Sequence, residues 1–223
     1  MKDNEELQTD VQNAINWETQ LKAAEIGVIA KDGVVTLTGT VDSYAKKLQA
    51  EDAAKSVNGV KVVVVKLEVK LNSIWDTKDD SEIADEILKA ARWNWQIPKD
   101  KIKAIVEAGW VTLEGEVQWN YQREAIVDLV KNHSGIKGIT NNIIITGSED
   151  QVEKKNIERA LRRHWFLDAS NIKVYVVDNN VTLTGSVESW HERNKAAQIA
   201  WNAPGVVSVD NQLAIEYEYE LAD

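Results

Sequence analysis

The sequence predicts an α+β fold of three tandem small domains, each ordered α-β-β-α-β, with a three-stranded sheet covered on one face by two helices. Three observations carry this prediction. The segment Lys31-Asp32-Gly33-Val34-Val35-Thr36-Leu37-Thr38-Gly39 recurs as Ala108-Gly109-Trp110-Val111-Thr112-Leu113-Glu114-Gly115 and again as Asn180-Val181-Thr182-Leu183-Thr184-Gly185. A second glycine keeps the same register, in Asn58-Gly59-Val60, Ser134-Gly135-Ile136 and Pro204-Gly205-Val206, so that both anchors repeat at spacings of 76 and 70 residues. Between the anchors, apolar positions switch from helical spacing to alternation at the same points in every copy. Periods of this size exceed the roughly 20–50 residues of solenoid repeats, so each copy is a domain and not one turn of a superhelix. The domains run over residues 1–72, 73–147 and 148–223.

Each copy opens with a helix. Leu7, Val11, Ala14 and Ile15 fall on one stripe, as do Ile83, Ile87, Ala90 and Ala91, and then Ile157, Ala160 and Leu161. Asp79, Asp80 and Glu82 suit the positive end of the helix dipole in copy two, and Glu149-Asp150 reads as the corresponding capping signal in copy three. A hairpin follows: the runs Ile26 to Ala30, Ile102 to Val106 and Ile172 to Val176 each meet Gly or Asn, where a tight turn needs positive φ, before the Val-Thr-Leu strand. The glycines closing that strand, Gly39, Gly115 and Gly185, mark a special backbone conformation or a close approach. A second helix carries Leu48, Ala53, Ala54 and Val57, then Ile126, Leu129 and Val130, then Ala196, Ile199 and Ala200, and it ends at the shared Gly59, Gly135 or Gly205. The last strand alternates through Val63, Val65, Leu67 and Val69, through Ile139, Ile143 and Ile145, and through Val209, Leu213 and Ile215. The pattern leaves the strand order open.

A unit of about 70 residues buries only about 60% of its unfolded surface. The joining segments, Leu71 to Asp80 and Thr146 to Asp150, hold no proline-rich spacer, so neighbouring units are expected to touch.

The repeat resembles the BON (bacterial OsmY and nodulation) domain, through its α-β-β-α-β plan, its Gly-Val-Val-Thr-Leu-Thr-Gly-like strand and the Gly-Val turn before the last strand. The resemblance covers Asn4 to Ile215. It implies a bacterial, non-enzymatic domain of the cell envelope, tied to osmotic or other stress and to phospholipid attachment, with no shared catalytic motif. Its partners would be an anionic phospholipid surface or an envelope protein. The opening residues Met1 to Glu6 carry no apolar run, and no stretch reaches the roughly 20 apolar residues of a membrane span. The chain as written therefore reads as cytoplasmic, and as periplasmic if it is a processed form.

Composition narrows the chemistry. With 26 Lys and Arg against 36 Asp and Glu, a net charge of −10 disfavours nucleic acid, whose phosphates need a basic field. The absence of cysteine excludes disulfides and thiolate metal sites. His133, His164 and His191 share no metal-ligand spacing, and no Gly-x-Ser-x-Gly elbow occurs. The expectation is no catalytic residue, no metal and no cofactor. A soluble cation or small-ligand sensor is the alternative to a membrane or envelope binder.

The nine tryptophans carry the positional signals. Trp17, Trp93 and Trp165 recur at the ends of the first helices, with Trp95 beside Trp93, which predicts packing against the sheet or the adjacent unit. Trp93, Trp95 and Trp110 make copy two the richest and a candidate contact surface. Trp119 and Trp190 start second helices, where an exposed ring can dock a partner. In the first helix of copy three, Lys155, Arg159, Arg162 and Arg163 fall in a narrow arc opposite Ile157, Ala160 and Leu161, and Lys154 to Arg163 holds five positive residues against one negative. With Trp165 and Phe166 at its end, this helix is the membrane-binding candidate; the alternative is a solvated face paired with acids of a neighbouring unit.

Overall fold

The computed structural model describes residues 3–21, 26–70, 78–98, 101–147, 151–164 and 167–216. Its elements repeat three times in the predicted order. Unit 1 contains α1 (Asn4–Trp17), β1 (Ile26–Lys31), β2 (Val34–Val41), α2 (Tyr44–Lys55) and β3 (Val62–Val69). Unit 2 contains α3 (Asp80–Trp93), β4 (Ile102–Glu107), β5 (Trp110–Val117), α4 (Asn120–Lys131) and β6 (Gly138–Ile145). Unit 3 contains α5 (Lys154–Arg162), β7 (Ile172–Val177), β8 (Asn180–Val187), α6 (Trp190–Trp201) and β9 (Ser208–Ile215).

Every sheet places its Val-Thr-Leu strand in the centre, in the orders β1-β2-β3, β4-β5-β6 and β7-β8-β9. The first pair of each sheet is antiparallel and the second is parallel. Parallel neighbours need a crossover, and α2, α4 and α6 supply it. The tight turns have left-handed backbone at both central positions: Asp32 and Gly33, Ala108 and Gly109, Asp178 and Asn179. That is the mirror-image turn whose twist matches paired strands. The start of each unit clamps this turn. The Asn4 Oδ1 accepts the Asp32 N–H at 2.8 Å, Asp80 accepts the N–H groups of Ala108 and Gly109 at 2.7 and 2.9 Å, and Asn179 Oδ1 accepts the Val152 N–H at 3.1 Å.

Helix starts follow the capping signals. Asp79 accepts the Glu82 N–H at 2.8 Å while Glu82 accepts the Asp79 N–H at 3.1 Å, a reciprocal box. Ser43 and Ser189 cap α2 and α6 through the N–H groups of Lys46 and Glu192. At the equivalent place in unit 2 stands Trp119, whose indole cannot accept, and the Gln122 side chain instead takes the N–H groups of Gln118 and Trp119. Glu149 and Asp150 lie outside the described residues. The second helices stop four residues before the shared glycine, at Lys55, Lys131 and Trp201, not at it. The glycine serves a turn that returns the chain to the hairpin, where Lys61, Lys137 and Val207 donate to the carbonyls of Gly33, Gly109 and Asn179.

Each unit has its own core between helices and sheet. Val11, Ile15, Val35, Leu37 and Ala54 lie in the first, Ile83, Val111, Leu113 and Val130 in the second, and Ile157, Leu161, Val181, Leu183 and Ala200 in the third. The opposite sheet face is open, with Ile29, Ile105 and Tyr175 exposed.

Among the described residues the units touch at three junctions. Tyr44 of unit 1 packs against the core of unit 2 and its hydroxyl meets the Ile139 backbone, while Asp52 faces Lys131. The Arg123 guanidinium of unit 2 stacks 4.5 Å above the Trp201 ring of unit 3, and that ring also packs on the unit 2 core. Trp190 of unit 3 donates its Nε1–H to the Lys61 carbonyl of unit 1 at 3.2 Å.

Candidate functional site

Helix α5 is held on unit 3 by Ile157 and Leu161, both buried. Its remaining surface is cationic and solvent-facing: Lys155, Arg159, Arg162 and Arg163 are all exposed. Among the described residues none of these four has an acidic partner within ion-pair distance; the helix's single described pair is Lys154 to Glu158, at 3.4 Å on an exposed edge. Lys154 also lies 5.7 Å from the Tyr175 ring on the open sheet face. The expected alternative, neutralisation by acids of a neighbouring unit, is not seen among the described residues. Trp165 and Phe166 lie outside them.

The cations border a cleft of about 800 Å³ between α5 and the turn after α6, lined by Arg159, Arg162, Arg163, His164, Asn202 and Pro204. It is open to solvent and faces its arginine side chains with a loop that brings no acid. Such a surface attracts phosphate-bearing groups through Coulomb forces and through the fork geometry of guanidinium.

The tryptophans depart from expectation. Trp17 and Trp93, which recurrence placed against the sheet or the next unit, are 86% and 90% exposed, and Trp95 is 86% exposed. The physical reason is their position. α1 and α3 end at Trp17 and Trp93, one residue short of a chain reversal, and the buried stripe stops before them at Ile15 and Ile87. Trp110 is half exposed on the open face, where it lies over Gly138 and donates Nε1–H to Thr140 Oγ1 at 2.8 Å. It therefore stands on a different surface from Trp93 and Trp95. Trp119 and Trp190 are half-buried, and Trp190 meets a partner inside the same chain. Trp201 and Arg123 were missed by sequence reasoning; the signal was a bulky aromatic at a place where copies one and two carry Lys55 and Lys131.

All six anchor glycines have positive φ: Gly39, Gly59, Gly115, Gly135, Gly185 and Gly205. His133 donates its Nδ1–H to the Leu129 carbonyl, 2.8 Å away, just past the end of α4. Among the described residues no three His, Asp or Glu side chains gather as a metal site. No described helix is long and apolar enough to cross a membrane.

Each of the three units is matched by the model of one known family. The BON domain model covers residues 3–70, 79–147 and 149–217. This chain belongs to the BON domain family. Among curated proteins it is similar to Osmotically-inducible protein Y of Escherichia coli (strain K12), 28% identical over 144 residues, which is 63% of this chain and 72% of that one. It is also similar to the Outer membrane lipoprotein DolP of Haemophilus influenzae, 30% identical over 139 residues, 61% of this chain and 72% of that one. A solved structure of CdsD, a structural protein of the type III secretion system of Chlamydia trachomatis, aligns over 95% of this chain and 93% of its own, with 18% identity and a TM-score of 0.27.

Proposed function

We propose that this BON protein is a non-catalytic envelope protein of osmotic or envelope stress that attaches to anionic phospholipid surfaces through α5 of unit 3. One observation carries the reading: four exposed cations, Lys155, Arg159, Arg162 and Arg163, stand together without acidic partners among the described residues, in a chain of net charge −10. Self-neutralisation is cheap in so acidic a molecule, so a basic face with no acidic partner among the described residues points outward to an anion. Each Lys or Arg near an anionic leaflet contributes about 1 kcal/mol, and salt weakens the attraction. The names of its relatives, an osmotically inducible protein and an outer membrane lipoprotein, support the stress and envelope setting. They favour the periplasmic over the cytoplasmic alternative.

Flotation with vesicles rich in anionic lipid tests the reading. Binding is expected at low salt, reduced at moderate salt and absent for neutral vesicles. The combined substitution Lys155→Glu, Arg159→Glu, Arg162→Glu and Arg163→Glu removes it while leaving the far-ultraviolet circular dichroism unchanged. Failure of the unaltered protein to float with anionic vesicles at low salt ends the proposal.

A further inference from the structure

Equivalent places recur at the junctions, although Asn120 of unit 2 bonds Arg123 and Glu124 of its own unit. At spacings of 76 and 70 residues, Tyr44, Asn120 and Trp190 are the same place in the three copies, the first residue of the second helix. Tyr44 docks on unit 2, next to the start of β6, and Trp190 docks on unit 1, just before the start of β3. Lys131 and Trp201 are likewise one place, the last residue of the second helix; Lys131 lies within electrostatic range of Asp52 of unit 1, and Trp201 meets unit 2. Unit 1 therefore leans on unit 2, unit 2 on unit 3, and unit 3 back on unit 1. Each contact joins two different surfaces, a heterologous interface that closes after three steps.

The three contacts are not equally secured. Units 1 and 2, and units 2 and 3, are consecutive in the chain, so a short connection holds each pair at high effective concentration. The contact of unit 3 with unit 1 spans 129 residues and has no such tether beyond the ring itself. It does have a preorganised donor. Arg193 is fixed by hydrogen bonds to the carbonyls of Leu213 and Asn211, at 3.0 and 2.5 Å, and stacks 5.1 Å from the Trp190 ring.

We propose that the Trp190–Lys61 contact is a releasable latch, and that the two ends it frees form a docking surface for a second copy of this chain, head to tail. Complementarity needs no further assumption. The freed end of unit 3 and the freed end of unit 1 already fit each other within one molecule. Two opened chains thus offer each other the contact each has lost. Closure within one chain saturates both ends and keeps the protein from polymerising.

The test uses the full chain. Its lack of cysteine allows a labelled pair at the exposed positions Lys31 and Glu188, introduced as Lys31→Cys and Glu188→Cys, to report closure by energy transfer. Light scattering after size exclusion reports mass. Kept in native buffer, the unaltered chain is expected to be monomeric with high transfer at every concentration. Returned to buffer from mild urea at high protein concentration, it should yield a fraction of twice the monomer mass, because released ends meet those of another copy. Trp190→Ala, which lacks the contact both within and between chains, should lose intramolecular transfer and stay monomeric after the same treatment. Trp190→Phe keeps the ring, deletes the N–H donor and is mild enough to fold if Trp190→Ala is not; it should shift in the same direction. Tyr44→Ala, at a tethered junction, should keep both the transfer and the double-mass fraction. High transfer retained in both Trp190 variants overturns the latch. Absence of a double-mass fraction from the unaltered chain overturns the docking surface, and so does an equal fraction in the Trp190 variants.

Discussion

A side chain at Gly115 would place its Cβ 2.1 Å from the Lys101 carbonyl oxygen, and one at Gly185 would lie 1.8 Å from the Asn171 carbonyl oxygen. Both glycines also have φ values, 139° and 117°, that other residues rarely adopt. Steric overlap with backbone cannot be relieved by rotating a neighbour, so strain and displacement add. Gly115→Ala is expected to destabilise unit 2 by about 2–4 kcal/mol, read from urea unfolding. Charge is as local as shape. Partial desolvation pushes the Asp52 carboxyl above its usual range although the residue keeps an exposed surface, helped by Glu51 and opposed by Lys55 and Lys131. A raised folded-state pKa means that stability is fully present below the unfolded value and is lost as pH rises through the folded one. Asp52→Asn should therefore raise the Tm near about pH 7, and the gain should vanish near about pH 3, where both forms are neutral. Asp79 has the opposite sign: hydrogen bonds from Ser81 and the Glu82 N–H hold its carboxyl low, and its contribution is lost as pH falls. The cap was legible in the order of residues, whereas the Asp52 environment depends on a neighbouring unit's Lys131.

At the scale of elements, the hairpins compare three solutions to one turn. Asp32-Gly33 and Asp178-Asn179 use residues that tolerate left-handed backbone, but Ala108 holds φ 51° with a Cβ and no local hydrogen-bonding side chain. Ala108→Asn leaves its N–H bond to Asp80 intact and should stabilise unit 2 by about 0.5–1 kcal/mol, measured by thermal unfolding at constant pH. Helices and strands were legible because apolar spacing reports which face is buried, and Ile157 and Leu161 on α5 show this. Helix ends were less so. The shared glycine looked like a C-terminal stop, yet three residues lie between it and the helix, since its positive φ serves the return to the hairpin. Trp17 and Trp93 misled for a related reason. Recurrence in sequence shows a shared place in the unit, and that place is solvent-facing because the stripe ends at Ile15 and Ile87.

At the scale of the whole molecule, three units and their layers were readable from two glycine anchors, and the basic face of α5 from its helical arc. The strand order and the ring of junctions were not. Both depend on residues far apart in sequence, such as Trp190 and Lys61, whose pairing leaves no periodic trace. That separation sets an order of events during synthesis. Within a unit the hairpin closes over a two-residue turn, while the parallel third strand must wait for its crossover helix, and the units emerge one after another. Unit 1 can thus be folded, with the surface around Lys61 complete, long before Trp190 leaves the ribosome. The same surface is left waiting in every nascent chain, so on a crowded polysome the finished third unit of one chain competes for the first unit of the next, and the speed of self-closure decides between a single molecule and an entangled pair.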